Sequence, residues 1–212
     1  MGATWLTVQA IQVRKGITIE VISILWMMIE AAVAIGAGIT AHSLALTAFG
    51  ADSVIELIAG GVLLWRLYVE ASGASLARVQ QAERTASWVV GSALLLLALY
   101  IAAAAAHELW VHSGADTSVL GIALSVASGL LMPVVARAKK RIGSEIGSKA
   151  LQADGSCSMV CAYMAWTVLA GVTLTALFGW WWVDGVSALA LLYFVVKEGW
   201  EAIQAARGVA DT

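Results

Sequence analysis

The sequence predicts an all-α membrane protein of six transmembrane helices with both termini in the cytoplasm. Three observations carry that prediction: scarce charge, six long apolar segments, and Lys and Arg confined to one side. Of 212 residues, 61% are hydrophobic and only 12% charged, where soluble domains run near a quarter charged. Mean hydropathy is +0.87. No cleavable leader is evident, because the opening "MGATWLTVQAIQVRK" is mixed and places its basic pair last.

A spanning helix needs about 20 mostly apolar residues. The segments that qualify are 17–37, 44–67, 87–106, 118–135, 150–177 and 184–203. The connectors carry turn and charge signals: "GITAHS", "RLYVEASGASLARVQQAERTA", "HELWVHSGADT", "RAKKRIGSEIGSK" and "FGWWWVDG". Cytoplasmic loops carry the excess of positive charge. Arg14 and Lys15 precede the first segment, Arg66, Arg78 and Arg84 surround the second connector, and Arg137, Lys139, Lys140, Arg141 and Lys149 surround the fourth. Lys197 and Arg207 close the sixth. Six spans put all of them on one face, which makes that face cytoplasmic. Trp180, Trp181 and Trp182 then fall at the outer interface, where indole rings anchor. The tail "QAARGVADT" is too short to bury a core, so the expectation is one domain over 1–212 without a C-terminal cytoplasmic domain.

Ionisable groups inside spans are expensive and point to function. The second segment holds Asp52 and Glu56 in "FGADSVIELIAGG". Four residues apart, they share one helical face. They lie about 12 and 18 Å from the outer end at the usual helical rise, near mid-membrane. The chain's two cysteines, Cys157 and Cys161, repeat that spacing in the fifth segment, about 10 to 16 Å from the inner end. The two helices run antiparallel. If they touch, Asp52 meets Cys161 and Glu56 meets Cys157, and two carboxylates with two thiols suit a tetrahedral divalent ion. Read separately, the cysteines are small buried residues and the carboxylates a proton relay. Matched depth favours the metal site. A disulfide within one helix is sterically awkward.

These residues resemble the membrane domain of the cation diffusion facilitator family, whose members export divalent metals in exchange for protons. There the second helix typically reads S-L-A-L-x-x-D-A-x-[HD]-x-x-x-D; here Ser43-Leu44-Ala45-Leu46 leads to Asp52 and Glu56 at the same offsets. There the fifth helix carries A-D followed by [HD]-x-x-x-D; here Ala153-Asp154 leads to Cys157 and Cys161. The sixth segment, opening at Asp184, is also similar. The resemblance implies a six-helix bundle of that family's kind, a homodimer and metal/proton antiport, hence a secondary transporter and not an enzyme. Phe49 stands where many members carry an aspartate, and cysteines replace the His/Asp pair.

Thiolates are soft ligands, so the substrate expected is Zn²⁺ or Cd²⁺, with Hg²⁺, Cu⁺ and Fe²⁺ admitted. Four acidic groups side by side cannot all carry charge without a cation, so the empty site is expected to hold protons, which an incoming metal displaces. Alternating access about a midplane site follows the common transporter pattern. The expected setting is the inner or plasma membrane, with lipid as partner and no nucleic acid; "RAKKR" reads as a lipid anchor.

Secondary candidates remain open. Asp154 is either an acid on the cation's access path or a helix-end charge. Glu30 is a proton carrier, a partner to the site, or merely buried. Glu20 reads as solvated near the inner interface. His107, Glu108 and His112 form an exit relay or a solvated turn, and His42 is ambiguous. Met159 and Met164 read as packing. Gly36–Gly38 and Gly60–Gly61 permit close helix approach and fit a homodimer. The competing functions are a membrane thiol redox protein or enzyme, and a metal-sensing or structural membrane protein. Redox proteins place CxxC at a solvent-reachable helix start, unlike this mid-helix pair.

Overall fold

The computed structural model describes residues 2–40, 44–112, 119–178 and 180–208. These form six helices in order: α1 Gly2–Thr40, α2 Leu44–Ala71, α3 Leu76–Val111, α4 Val119–Ile146, α5 Lys149–Phe178 and α6 Val183–Gly208. His42, the connector at 113–118 and the Asp184 side chain lie outside the described residues.

Each helix overruns the apolar segment that announces it. The polar connectors expected between segments two and three, and between four and five, are largely helix. Hydropathy marks where a helix leaves lipid, but the helix ends only where the backbone must turn. Ala, Arg, Lys, Gln and Glu all favour helix, and the breaks fall at Gly73 (φ 70°) and Gly147 (φ 73°). Both angles lie in the left-handed region that glycine adopts without strain. At the second break Ser148 N donates to Gly143 O at 2.8 Å, closing α4. The same Ser148 then caps α5, its Oγ accepting from Leu151 N at 3.1 Å.

α1 packs most extensively on α2, α3 on α6 and α4 on α5, while α2 and α5 also touch each other and α3. The second and fifth helices are therefore central. Small residues permit the closest approaches: a Cβ on Gly91 of α3 would stand 3.1 Å from the Gly199 carbonyl of α6. Gly38 and Gly60 serve contacts inside the chain, against Thr47 and Glu20.

Pro133 sits inside α4. Lacking an N–H, it leaves the Gly129 carbonyl without its helical donor. Trp166 of α5 supplies one, its Nε1 donating to Gly129 O at 3.0 Å. Gly129 carries no Cβ, which would sit 2.8 Å from that indole.

The outer surface is apolar: Ile22, Leu25, Ile29, Ile58, Leu96, Leu99, Leu130 and Val134 are all exposed, as lipid-facing positions are. Among the described residues three stretches, Ala10–Thr40, Leu76–Val111 and Val119–Ile146, are long and apolar enough to cross a membrane. At one end of the bundle Trp180 and Trp182 stack at 6.0 Å, and Trp181 lies 4.3 Å from the His112 ring. Three charges assigned to water from the sequence are not in water. Arg66, Lys139 and Glu20 are all buried, each in an ion pair.

Candidate metal centre

On α2, Asp52, Glu56 and Gly60 recur every fourth residue and so share a face. On α5, Asp154, Cys157 and Cys161 recur at three and four and share another. Contact between the two helices brings these faces together. Ligand atoms of Asp52, Glu56 and Cys161 lie within 4.8 Å of one another. Cys157 does not complete that mutual cluster but joins it through Glu56, its thiol donating to Glu56 Oε1 at 3.2 Å. All four are buried, none more than 2% exposed, and both cysteines are free thiols.

Glu30 of α1 adds a third helix, since Cys161 Sγ approaches its Oε1 at 3.7 Å. Beside them Trp26 Nε1 donates to Ser128 Oγ of α4 at 3.1 Å. Phe49, one helical turn before Ser53, is fully buried with Met27, Leu46, Met132 and Cys161. Apolar packing thus occupies the position where the family resemblance implied an acid.

Buried polar groups almost always find hydrogen-bond partners. Here neither oxygen of Asp52, nor Glu56 Oε2, makes a hydrogen bond among the described residues. An unpartnered carboxylate away from water is unfavourable by about 1–3 kcal/mol or more. Carboxylate oxygens and thiol sulfurs so placed are the donor set that a divalent cation would satisfy. Among the described residues His107, Glu108 and His112 form no second cluster of this kind.

Asp154 does not join the four. Its Oδ2 lies 2.5 Å from Lys139 Nζ, and the same ammonium lies 3.1 Å from Glu20 Oε2. Helix capping at α5 falls to Ser148 and to Glu83, which accepts from Ala150 N at 2.7 Å. Glu83 also accepts from Ser148 Oγ at 2.9 Å and from Arg66 Nε at 2.5 Å. Neither buried ion network was visible in the sequence. The signal available was that Glu20 stands among Gly16, Ile17, Ser23 and Ile24 at helical spacing; Glu83, beside Gln80 and Arg84, carried none.

The family profile described as the cation efflux transmembrane domain matches residues 21–207. Transmembrane protein 163 of Xenopus laevis is 26% identical over 156 residues, 74% of this chain and 54% of that protein. An uncharacterized transporter of Synechocystis is 29% identical over 168 residues, covering 78% and 54%. The manganese efflux system protein MneS of Bacillus subtilis is 22% identical over 193 residues, covering 90% and 66%. The chain spans about half the length of the first two relatives. With the profile running from α1 to the end of α6, and the acid-bearing α2 against the thiol-bearing α5, this integral membrane protein belongs to the cation efflux, or cation diffusion facilitator, family.

Proposed function

We propose that the chain exports a soft or borderline divalent cation, Zn²⁺ or Cd²⁺, bound by Asp52, Glu56, Cys157 and Cys161 and exchanged for protons. The reading takes all six helices as spans, with both termini cytoplasmic and the protein in the plasma membrane as a homodimer. The observation that carries it is the buried convergence of two carboxylates and a thiol within 4.8 Å, with the Asp52 oxygens left without donors among the described residues, in a member of this family.

The donor chemistry sets the selectivity. Mn²⁺ suits oxygen ligands, whereas two thiolates favour Zn²⁺ and Cd²⁺. The efflux of manganese by the Bacillus relative is therefore not carried over. Coupling follows from the same atoms. A thiol that donates to Glu56 holds a proton that must leave before sulfur can bind metal, so loading releases protons. Low pH on the far side then drives unloading. Glu30, against Cys161, is placed to take or relay such a proton.

The test is Cd²⁺ and Zn²⁺ binding by calorimetry to the purified full chain in detergent, with Cys157→Ser, Cys161→Ser and Asp52→Ala. One ion per chain, proton release on loading, and loss of Cd²⁺ affinity in each variant are expected. Unchanged stoichiometry and affinity in all three variants would remove the site. Uptake into proteoliposomes across a pH gradient, with Mn²⁺ as the hard-ion control, separates transport from static binding.

A further inference from the structure

One turn past Glu56 on α2, Gly60 leaves room for Glu20 of α1, whose Oε1 lies 2.7 Å from where a Gly60 Cβ would stand. Glu20 and Asp154 face the same Lys139 ammonium, and the three are at most 1% exposed. Four helices thus meet here: α1, α2, α4 and α5. Glu20 Oε1 has no hydrogen-bond partner among the described residues although it is fully buried. One ammonium faces two carboxylates, so when all are ionised a net negative charge is left in the interior, where it is unfavourable. A divalent cation would balance both acids.

Resting on the export reading above, we infer that Glu20 and Asp154 form a second, inner cation station, and that the Lys139 ammonium is its resident ion, displaced when the transported cation passes. The arrangement differs from the central cluster in chemistry. It offers carboxylate oxygens alone, the donors that suit Mn²⁺ or Mg²⁺ and discriminate little among divalent ions. Selection then belongs to the sulfurs, and the inner station serves passage. The lysine keeps the station filled between ions, because an ammonium and a metal ion cannot share the same carboxylate pair without repulsion. The two stations adjoin: Gly60, against which Glu20 packs, lies one turn past Glu56 on α2, and Asp154 precedes Cys157 by one turn on α5.

The probe is Mn²⁺ alone, titrated against the full chain in which Asp52→Asn has disabled the central cluster. Adding Lys139→Met is expected to create about one Mn²⁺ equivalent per chain, as a freed oxygen pair would, and adding Glu20→Gln to remove it. Lys139→Arg should not create it. If Lys139→Met binds no more Mn²⁺ than its Asp52→Asn parent, or Glu20→Gln leaves that binding intact, the station does not exist. This arm needs no central site, so its failure is distinct from failure of the export reading, which shows as absent Cd²⁺ binding in the unaltered chain. The second arm places Glu20→Gln in the otherwise unaltered chain, where Cd²⁺ uptake into proteoliposomes is expected to slow about tenfold at unchanged Cd²⁺ stoichiometry and affinity. Unchanged uptake, or affinity lost in parallel with uptake, overturns the inference even if Lys139→Met does not fold.

Discussion

Two buried carboxylates, Glu83 and Asp52, live in opposite circumstances. Glu83 accepts from the Arg66 guanidinium, the Ser148 hydroxyl and the Ala150 amide, and so ties α2 and α3 to the start of α5. Asp52, removed still further from solvent, makes no hydrogen bond among the described residues. A satisfied buried acid is structural, since every donor around it would be stranded by its loss. An unsatisfied one is unfavourable in the unloaded chain and is explained by something that binds there. The difference separates the scaffold of this protein from its proposed working part.

That contrast is broken or sharpened by five measurements. Glu83→Ala has the largest expected effect. Removing one partner of a buried ion pair is destabilising by about 3–5 kcal/mol, seen as a large drop in thermal midpoint in detergent, while the folded fraction still binds Cd²⁺. An unchanged midpoint would mean the network is ornamental. Asp52→Asn should do the reverse: Cd²⁺ affinity falls by about a hundredfold, in line with losing a charged ligand, and the midpoint stays or rises because an unpaired buried carboxylate is gone. A loss of stability matching that of Glu83→Ala would erase the distinction.

Smaller effects follow. Trp166→Phe removes the indole donor to Gly129 O and should be destabilising by about 1 kcal/mol, with Cd²⁺ binding unaltered. Arg141→Ala breaks an ion pair with Glu145 on a largely exposed side chain, and its effect should stay below about 0.5 kcal/mol. Acidification completes the set. Metal ligands must be deprotonated to bind, so Cd²⁺ affinity should fall as pH is lowered, monitored by calorimetry. Affinity independent of pH would argue against proton exchange.

The comparison also shows what a sequence can display. Asp52, Glu56, Cys157 and Cys161 were legible because charge and thiols inside apolar segments stand out against their neighbours, and helical spacing assigns them to faces. Family membership was legible from the same positions. Arg66 and Lys139 were not, because each stands in a run of basic residues that reads as cytoplasmic surface. Lys139 differs from the exposed Lys140 and Arg141 only in its angular position on α4, and burial there depends on Glu20, 119 residues earlier by number. Helix ends escaped for another reason: lipid thickness sets the apolar length, but Gly73 and Gly147 set where the helix stops.

The indole of Trp166 has a consequence for how the bundle can part. Separating α4 from α5 would strand the Gly129 carbonyl in a medium with no water to replace the lost donor, which favours these two helices moving together. The seam between α2 and α5 carries a different kind of bond, the thiol of Cys157 on Glu56. An ion that took both groups would replace that bond with its own ligation to α2 and α5, so under the proposed function arrival clamps this joint and departure frees it.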